Sequence, residues 1–431
     1  MFQTLKNAWK TPEIKSKLLF TLMIIVLYRL GANLPVPYVS ADALSIFERV
    51  SAGSIFTFLN MLSGDAFGKA TLFALGVNPY ITSSIVMQLL TIAIPALERL
   101  SKEGEEGKKK INTITRYVTV GLALITSYGY AMYLKSAGMT YAGTFGLIVM
   151  IACYCAGSSL VMWLAEKINE NGIGNGISMI LFANIIARGP AMVGSMWSMI
   201  STRLGSVSGV AIGVLLVVLS LALTLAIVIV IIWMNDSERR IPVQYAKRVV
   251  GRKMYGGQGT NLPLKLNMTG VMPIIFASSI VSIPATIGSF FPNSKFWTSV
   301  TEVFNYDTWL YIIVEFLLLI AFAYFYVAIS FNPVEVSNNL KKQGGAIPGI
   351  RPGKPTSDYI SKVLNRITLI GAIILSFICI FPMCINIIAG GQFASLAFGG
   401  SSIIIVIGVA LETFRDIEAQ MSLRNYKGFL D

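Results

Sequence analysis

The sequence predicts an all-α membrane protein with ten transmembrane helices in two five-helix halves of opposite topology. Hydrophobic residues make up 55% of the 431-residue chain and charged residues only 13%, where a soluble domain carries about a quarter. The apolar residues gather into ten runs, and a helix of about twenty such residues crosses the hydrocarbon core of a bilayer. Twenty-seven of the 34 lysines and arginines lie on one side of this arrangement, the asymmetry that positive-inside topology produces.

Each predicted span is an apolar run of about the length needed to cross a membrane as a helix. The runs cover residues 18–37, 71–94, 114–134, 145–165, 176–195, 209–234, 268–290, 308–330, 367–388 and 396–412. The last is the weakest, because its strongly apolar part is only IIIVIGVAL. An odd number of spans in each half gives the halves opposite orientations, as in inverted repeats. The halves are therefore predicted at 18–195 and 209–412, joined by a hinge loop at 196–208.

The segments that hold most of the cations are predicted to be cytoplasmic, together with both termini. They include an N-terminal segment at 1–17, loops at 235–267 and 332–366, and a tail at 413–431. In the first segment, Phe2, Leu5 and Trp9 share one face of a helix whose other positions carry lysines. This pattern is typical of an amphipathic helix on a membrane surface, although a contact with a partner protein stays open.

Residue types missing from the sequence argue against several kinds of chemistry. The chain has no histidine, which excludes His-based zinc sites and Ser-His-Asp triads. Its four cysteines lie inside apolar runs, at spacings that fit neither a disulfide framework nor a zinc site. Glu315 alone lies well inside a span, so the network of buried charges expected of an ion-coupled transporter is missing. No catalytic, cofactor-binding or metal-binding residue is predicted.

Two irregular stretches do not fit a bundle of plain spans. Residues 52–70 are apolar, too short to cross a membrane and interrupted by polar residues and glycines. Irregular backbone at membrane depth is tolerated where it is buried in protein or lines a cavity. The stretch AIPGIRPGKPTSDY, residues 346–359, combines three prolines with Arg351 and Lys354. Proline and glycine favour a loop of defined shape, and its cations attract phosphate or acidic protein surfaces.

Six stretches, taken in order along almost the whole chain, resemble the SecY family, the central subunits of protein translocation channels. They are GVNPYITSSIVMQLL, KEGEEGKKK, NGIGNGISMILFANIIA, ERRIPVQYAKR, LPLKLNMTGVMPIIFASSI and IPGIRPGKPT. The resemblance implies a clamshell of two inverted five-helix halves around an hourglass pore. It also implies a protein-conducting channel in the cytoplasmic membrane of a bacterium. Such a channel translocates unfolded secretory polypeptides and releases membrane-protein helices laterally into lipid.

The resemblance further implies roles for particular residues. A pore ring would consist of Ile81, Ile85, Leu181, Ile185, Ile275 and Ile405, where Leu181 departs from the expected isoleucine. A plug at about 54–68 would include Ile55, Phe56, Leu59, Asn60, Leu62, Gly64 and Phe67. A lateral gate would include Thr82, Gln88, Ser278, Ser279 and Ser282. Docking of a motor or ribosome would involve Arg351 foremost, supported by Arg239, Arg240, Lys247 and Arg248.

The partners implied are SecE-like and SecG-like small membrane subunits, a SecA-like ATPase motor, the ribosome, polypeptides with signal sequences and membrane lipids, but not DNA. A ring of branched aliphatic side chains dewets and so resists the passage of ions.

Two other classes stay open as alternatives. A secondary transporter with inverted repeats has only Glu315 as a candidate midplane charge, and an intramembrane hydrolase lacks histidine and paired catalytic carboxylates.

Overall fold

The structure, a computed structural model, describes most of the predicted spans and loops. The described residues are 6, 8–40, 59–60, 62–141, 143–191, 194, 197, 207–245, 248–250, 253–255, 259–290, 294–304, 308–388 and 400–427. The backbone alone is described at 207–210, 212, 248–250, 253–255, 259, 285, 289–290, 298, 386, 388 and 423–427. Within these ranges the chain forms thirteen α-helices and five short β-strands.

The first predicted half contains six helices. They are α1 (Pro12–Gly31), α2 (Asn78–Ala93), α3 (Pro95–Lys102), α4 (Glu105–Ser136), α5 (Thr144–Asn171) and α6 (Gly176–Ala187). α1 begins ahead of the predicted start at 18, because Pro12 occupies its first turn, where the fixed φ of proline suits a helix and no N–H is needed. Of the predicted amphipathic face, Trp9 is exposed, whereas Phe2 and Leu5 lie outside the described residues.

The second predicted span divides into pieces of different direction. Residues 72–77 form turns, and α2 begins only at Asn78, with Pro79 in its first turn. α2 and α3 are then bent by 100° at a short break. A proline inside a helix loses a hydrogen bond and clashes with the preceding turn. Pro95 therefore starts α3 in a new direction instead of continuing α2.

The second predicted half contains seven helices. They are α7 (Val207–Asp236), α8 (Met272–Phe290), α9 (Lys295–Val303), α10 (Trp309–Ser330), α11 (Pro333–Lys342), α12 (Lys354–Ile388) and α13 (Gly400–Lys427). α11 lies within the predicted loop 332–366 and is capped by Asn332, whose Oδ1 accepts from the N–H of Val334 at 3.1 Å. Of the predicted hinge loop at 196–208, only residues 197, 207 and 208 belong to the described part.

Each of the ten predicted spans corresponds to a helix, but length and hydropathy do not confirm the count of ten. Within the described part of the chain, five helical stretches are long and apolar enough to cross a membrane: Glu105–Ser136, Thr144–Asn171, Gly213–Asp236, Trp309–Lys342, which combines α10 and α11, and Lys354–Ile385. The bent pair α2 and α3 would make a sixth if taken as one span. The remaining spans stay predictions.

The largest apolar cluster combines residues from both predicted halves. It includes Ile81 of α2 and Ile180 of α6 from the first half, and Ile274 of α8 and Ile404 of α13 from the second. Apolar side chains also cover the outer faces, where Leu30 is 63% exposed and Leu215 is 65% exposed. Large exposed apolar surfaces of this kind mark contact with a membrane or another protein. The halves therefore meet on an apolar core and present an apolar exterior.

A small antiparallel sheet, which the sequence analysis did not predict, joins the two basic loops. β1 (Glu238–Tyr245) lies between β4 (Gly259–Lys265) and β5 (Gly345–Ala346), while β2 (Arg248–Val250) pairs with β3 (Lys253–Tyr255). The register places Gln244 opposite Ala346 and Tyr245 opposite Gly345. Alternate residues of β1 face inward, so that Ile241 and Val243 are buried. The loops at 235–267 and 332–366 thus form one folded surface.

Candidate functional site

The six residues of the predicted ring come from four helices and meet in one apolar cluster. They are Ile81 and Ile85 of α2, Leu181 and Ile185 of α6, Ile275 of α8 and Ile405 of α13. None of them is more than 5% exposed. Residues four apart on a helix share a face. Ile81 and Ile85 therefore lie on one face of α2, and Leu181 and Ile185 lie on one face of α6.

A very small cavity, with a volume of about 10 Å³, borders four of these six residues. Its wall consists of Leu62, Ile81, Leu181, Ile275, Ser278, Ser279 and Ile405. One water molecule needs about this volume, and the wall is mostly aliphatic. The space that these residues leave between the halves is therefore no larger than one water molecule.

Local sequence explains how α6 brings its two residues to the cluster. Asn175 is the N-cap, and its Oδ1 accepts from the N–H groups of Ile177 at 3.1 Å and Ser178 at 3.5 Å. The next residue, Gly176, lies so close to α5 that a Cβ there would be 2.0 Å from the carbonyl oxygen of Ala165. Only glycine permits such an approach of two backbones.

Of the predicted plug, the structure describes residues 59, 60 and 62–68, and we call these the plug segment. Ile55 and Phe56 lie outside the described residues. Leu62 reaches the wall of the small cavity in the ring. Leu59 and Phe67 are also buried, at 8% and 5% exposure. The plug segment therefore packs directly against the ring.

Polar side chains within the plug segment hold it as a compact turn. Asn60 Nδ2 donates to Asp65 Oδ1 at 3.1 Å, and Asn60 Oδ1 accepts from the N–H of Gly68 at 2.7 Å. Ser63 Oγ accepts from the N–H of Phe67 at 2.9 Å. Two of these bonds satisfy backbone N–H groups, those of Phe67 and Gly68, and so stabilise the turn.

Asn184, which the sequence analysis missed, fastens the plug segment to α6 and α1. Its Nδ2 donates to the carbonyl oxygen of Leu62 at 2.8 Å and to the hydroxyl of Tyr28 at 2.9 Å. Its Oδ1 accepts from Arg29 Nη1 at 3.3 Å. Asn184 is 1% exposed and follows Leu181 of the ring by almost one turn. An amide within the apolar run of α6 was the available signal, because a buried amide is costly without partners.

An ion pair and a further hydrogen bond add to this attachment. Arg188 Nε lies 3.2 Å from Asp65 Oδ1, with both side chains 28% exposed. Arg29 Nη1 also donates to the carbonyl oxygen of Gly64 at 3.5 Å. Ion pairs that water still reaches contribute about 1 kcal/mol or less. The buried amide of Asn184 is therefore the stronger part of the attachment.

A larger cavity of about 290 Å³ opens between α2, α4, α8 and the plug segment. Three predicted gate residues, Thr82, Ser279 and Ser282, line it. Much of the remaining wall is apolar and includes Leu59, Phe67, Leu75, Leu122, Ile125, Ile283 and Ile287. The volume is at the lower end of the range seen for ligand pockets, and the wall suits an apolar occupant.

The hydroxyls of these three gate residues do not tie α2 to α8. Thr82, Ser279 and Ser282 donate to backbone carbonyls one turn earlier in their own helices, at 3.0, 2.6 and 2.7 Å. Ser278 points into the second half and donates to Glu315 Oε1 at 3.1 Å. The described face between α2 and α8 is therefore lined by hydroxyls that keep their hydrogen bonds when the helices part.

Gln88 makes a polar contact between the two halves. Its Oε1 accepts from the hydroxyl of Tyr326 on α10 at 2.7 Å, and its Nε2 donates to Ser84 Oγ at 3.2 Å. The ring of Tyr326 packs against Phe276 of α8, with 5.0 Å between centroids. Gln88 was among the predicted gate residues, whereas Tyr326 was missed because a tyrosine in an apolar span has no distinctive local signal.

The loop that carries Arg351 has a fixed shape. Gly349 and Gly353 have φ values of +81° and +101°, a region that glycine enters without strain. The Gly353 carbonyl accepts from Ser337 Oγ at 2.7 Å, and the Arg351 carbonyl accepts from Thr356 Oγ1 at 2.9 Å. These bonds hold the loop between α11 and α12 and leave the Arg351 side chain exposed.

The other predicted docking cations are described in part. Arg239 and Arg240 are exposed on β1, and Arg240 Nε lies 2.6 Å from Glu238 Oε1. Of Arg248 only the backbone, in β2, is described, and Lys247 lies outside the described residues. Because β1 pairs with β5, the exposed cations of both loops belong to one surface.

Charged side chains of both signs meet where this sheet contacts α13. Arg415 donates to the Asn235 carbonyl at 2.8 Å and to Asp236 Oδ1 at 2.9 Å. Partial burial, and then the neighbouring Arg415 guanidinium, lower the pKa of Lys265 on β4.

Comparison with known proteins gives a consistent family match. The sequence pattern of the SecY family matches residues 71–414 of the chain. The chain is 44% identical over 445 residues to the protein translocase subunit SecY of Streptomyces galbus, and the match covers 100% of both chains.

Two solved structures share the fold at low sequence identity. One is a SecY structure whose plug domain is described as stabilising the closed state of the translocation channel, with a TM-score of 0.64, 17% identity and coverage of 94% of this chain and 92% of that one. The other is an idle yeast Ssh1 complex bound to the yeast 80S ribosome, with a TM-score of 0.61, 15% identity and coverage of 96% and 89%.

Proposed function

The chain belongs to the SecY family and is a subunit of a protein-translocation channel in a bacterial cell membrane, and we propose that its six-residue ring is the constriction of that channel. The observation that carries this proposal is the mostly aliphatic cavity of about 10 Å³ that four of the six ring residues, Ile81, Leu181, Ile275 and Ile405, border. A dewetted aliphatic constriction resists ions in the resting state. Deformable side chains still fit around unfolded secretory polypeptides of varied sequence.

The energy for transport comes from outside the chain in this proposal. Glu315 is the only buried Asp, Glu, Lys or Arg within the described part of the chain. Ion-coupled transporters place several ionisable groups at membrane depth. A motor or a ribosome that pushes the polypeptide fits the described residues better than coupling to an ion gradient.

The plug segment and the gate open in different directions. Displacement of the plug segment breaks its contacts with Asn184 and clears the path across the membrane. Parting of α2 from both α8 and α10 breaks the bond between Gln88 and Tyr326 and opens the large cavity toward lipid. An apolar signal sequence or membrane-protein helix then enters through this opening, and the hydroxyls along it keep their own hydrogen bonds.

The surface formed by the sheet and the Arg351 loop is proposed to bind the SecA-like motor and the ribosome. Its exposed cations and fixed shape support this role, since phosphate and acidic surfaces are attracted to such patches. A structure of similar fold is bound to a ribosome. The distribution of lysine and arginine supports a cytoplasmic location of this surface and of both termini. SecE-like and SecG-like subunits complete the complex in the same proposal.

Site-specific cross-linking tests the constriction. A photoreactive residue is introduced at position 81, 275 or 405, and a secretory protein is stalled partway through export. Adducts that require both the signal sequence and the motor are expected at all three positions. Position 313 is a matched control, because Ile313 on α10 is 58% exposed on the outer face and should give no such adduct.

The absence of adducts at all three ring positions would contradict the proposal. Protease protection of the stalled polypeptide confirms that it has entered the membrane. Efficient incorporation of the probe is verified by adducts with neighbouring lipids at position 313. With both controls positive, the polypeptide would have to cross elsewhere.

A further inference from the structure

Glu315 lies where three helices of the second half meet. It is 0% exposed on α10. Its Oε1 accepts from Ser278 Oγ of α8 at 3.1 Å and makes a weaker contact with Cys379 Sγ of α12 at 3.8 Å. Its Oε2 has no hydrogen-bond partner among the described residues. A carboxyl group in this setting needs an explanation, because buried polar groups are normally paired.

The helices around this carboxyl offer no compensating charge. α8 has no ionisable residue over Met272–Phe290. The apolar part of α12 contributes the thiols of Cys379 and Cys384, and α10 itself contributes Tyr311 one turn away. The first ionisable residue of α13 is Glu412, which is also an acid. A carboxylate here would be an isolated charge in an apolar interior, a state so costly that such groups become neutral instead.

We propose that Glu315 is a proton-binding site, which holds a proton on Oε2 while α8 is packed against α10 and α12. Its link to gating rests on the proposed channel function. Ser278, which bonds to Glu315, lies one turn after Ile275 of the ring. The adjacent Ser279 lines both the ring cavity and the large cavity. The protonated Glu315 carboxyl group therefore helps to hold α8 in place, and α8 carries residues of both the ring and the gate.

Displacement of α8 releases this proton. Water reaches the carboxyl group when α8 moves, and the hydrated carboxylate becomes the stable form. The O–H bond at Oε2 breaks, its electron pair stays on the oxygen, and the proton passes to water. The stabilisation of the packed state is complete at low pH and is lost as the pH rises. Release of one proton changes the ratio of displaced to packed molecules by up to about tenfold per pH unit.

Infrared difference spectra between the unmodified full-length chain and each variant, all in lipid vesicles, test directly whether Glu315 holds a proton. The spectrum at neutral pH is expected to contain the C=O stretch of a buried protonated carboxyl group. The Glu315→Gln variant should lose this band, because the amide has no carboxyl proton. Glu302→Gln is the matched control, since Glu302 is an exposed carboxylate on α9, and it should retain the band. If Glu315→Gln loses no such band, the proton-binding site is wrong, whatever the channel does.

Ion leak through the same vesicles tests whether the proton on Glu315 stabilises the closed state of the channel. The leak of the unmodified chain and of Glu302→Gln should rise with pH, by up to about tenfold per unit. The leak of Glu315→Gln should stay at its low-pH level, because glutamine is neutral at every pH. Identical profiles for the unmodified chain and Glu315→Gln would overturn the link. Translocation of a secretory protein, measured separately, reports whether the proposed channel function itself holds.

Discussion

Asn184 meets a donor and two acceptors at once, and an amide suits all three. Arg29 donates to its Oδ1, while Leu62 and Tyr28 accept from its Nδ2. A carboxylate supplies no donor and an aliphatic side chain supplies neither group. Because Asn184 is 1% exposed, water has little access to replace a lost partner. A buried group left without its partner costs about 1–3 kcal/mol.

Asn184→Leu, which keeps the branched arrangement of side-chain heavy atoms but replaces the polar ones with bulkier methyl groups, should therefore loosen the plug segment. The open fraction is expected to rise by tenfold or more, since 1.4 kcal/mol corresponds to a factor of about ten. Ion leak through vesicles measures this change. Asn112→Leu is the control, because Asn112 is exposed on α4 and should leave the leak unchanged. A leak that stays at the original level in Asn184→Leu would show that the amide does not hold the plug segment.

Tyr326→Phe removes a single hydroxyl from the contact between the halves. The ring and its packing against Phe276 remain, while Gln88 loses its donor on α10. Such bonds between membrane helices contribute about 0.6 kcal/mol on average, or a factor of about three in gate opening. Export of a protein with a defective signal sequence should increase accordingly. Tyr324→Phe, which removes a hydroxyl bonded to Asn365 at 3.2 Å, should not have this effect; equal gains in both variants would contradict the role of Tyr326.

Among the elements, the helices were visible in the sequence and the sheet was not. A bilayer demands a continuous apolar run, which is a local feature of the sequence. Helix ends were less visible: α12 begins at Lys354, although its apolar run begins near 367, because its first turns pack Ile360 against the sheet. The sheet depends on pairing of β1 with β5, far along the chain. Such pairing leaves little local signal in two basic loops.

Arg351→Glu tests the surface that this sheet and its loop form. The charge lies on an exposed side chain, while the hydrogen bonds that shape the loop come from its backbone. The fold should therefore be retained, and like charges against an acidic motor should weaken docking by tenfold or more. Motor-dependent translocation in vesicles measures the loss.

A matched charge reversal is available at Lys135→Glu. Lys135 is exposed near the end of α4, which the charge distribution places on the other side of the membrane. This variant should translocate normally. Equal translocation by Arg351→Glu and the unmodified chain would exclude Arg351 from docking.

In the whole molecule, the site depends on contacts that spacing alone does not reveal. The spacing of Ile81 and Ile85 predicts a shared helix face, but the same pattern fits any apolar core. The resemblance to the SecY family supplied the ring, and the structure brings its members from both halves into one cluster. Asn184 and Tyr326 were missed because their partners lie on other helices. The partners of a buried polar side chain become visible only when the halves are assembled.

In the proposed channel the two halves seal against each other at the ring, so Ile275→Asn should weaken the closed state of the whole channel. Ile275 is 5% exposed and borders the small central cavity. Burial of an isoleucine side chain contributes about 1.5–3 kcal/mol, so the closed state should lose about tenfold or more in population. The amide also hydrates the constriction, which adds to the leak. Vesicle conductance and export of a protein with a defective signal sequence should therefore rise together.

Ile313→Asn separates this effect from the general cost of a polar residue in a membrane helix. Ile313 lies on α10 and is 58% exposed, so its replacement changes the lipid-facing surface of the same half. This variant should insert less efficiently but conduct no more ions per inserted molecule. If Ile313→Asn leaked as much as Ile275→Asn, the leak would come from a loosened half rather than from the ring. If neither variant leaked, the seal between the halves would lie outside the ring.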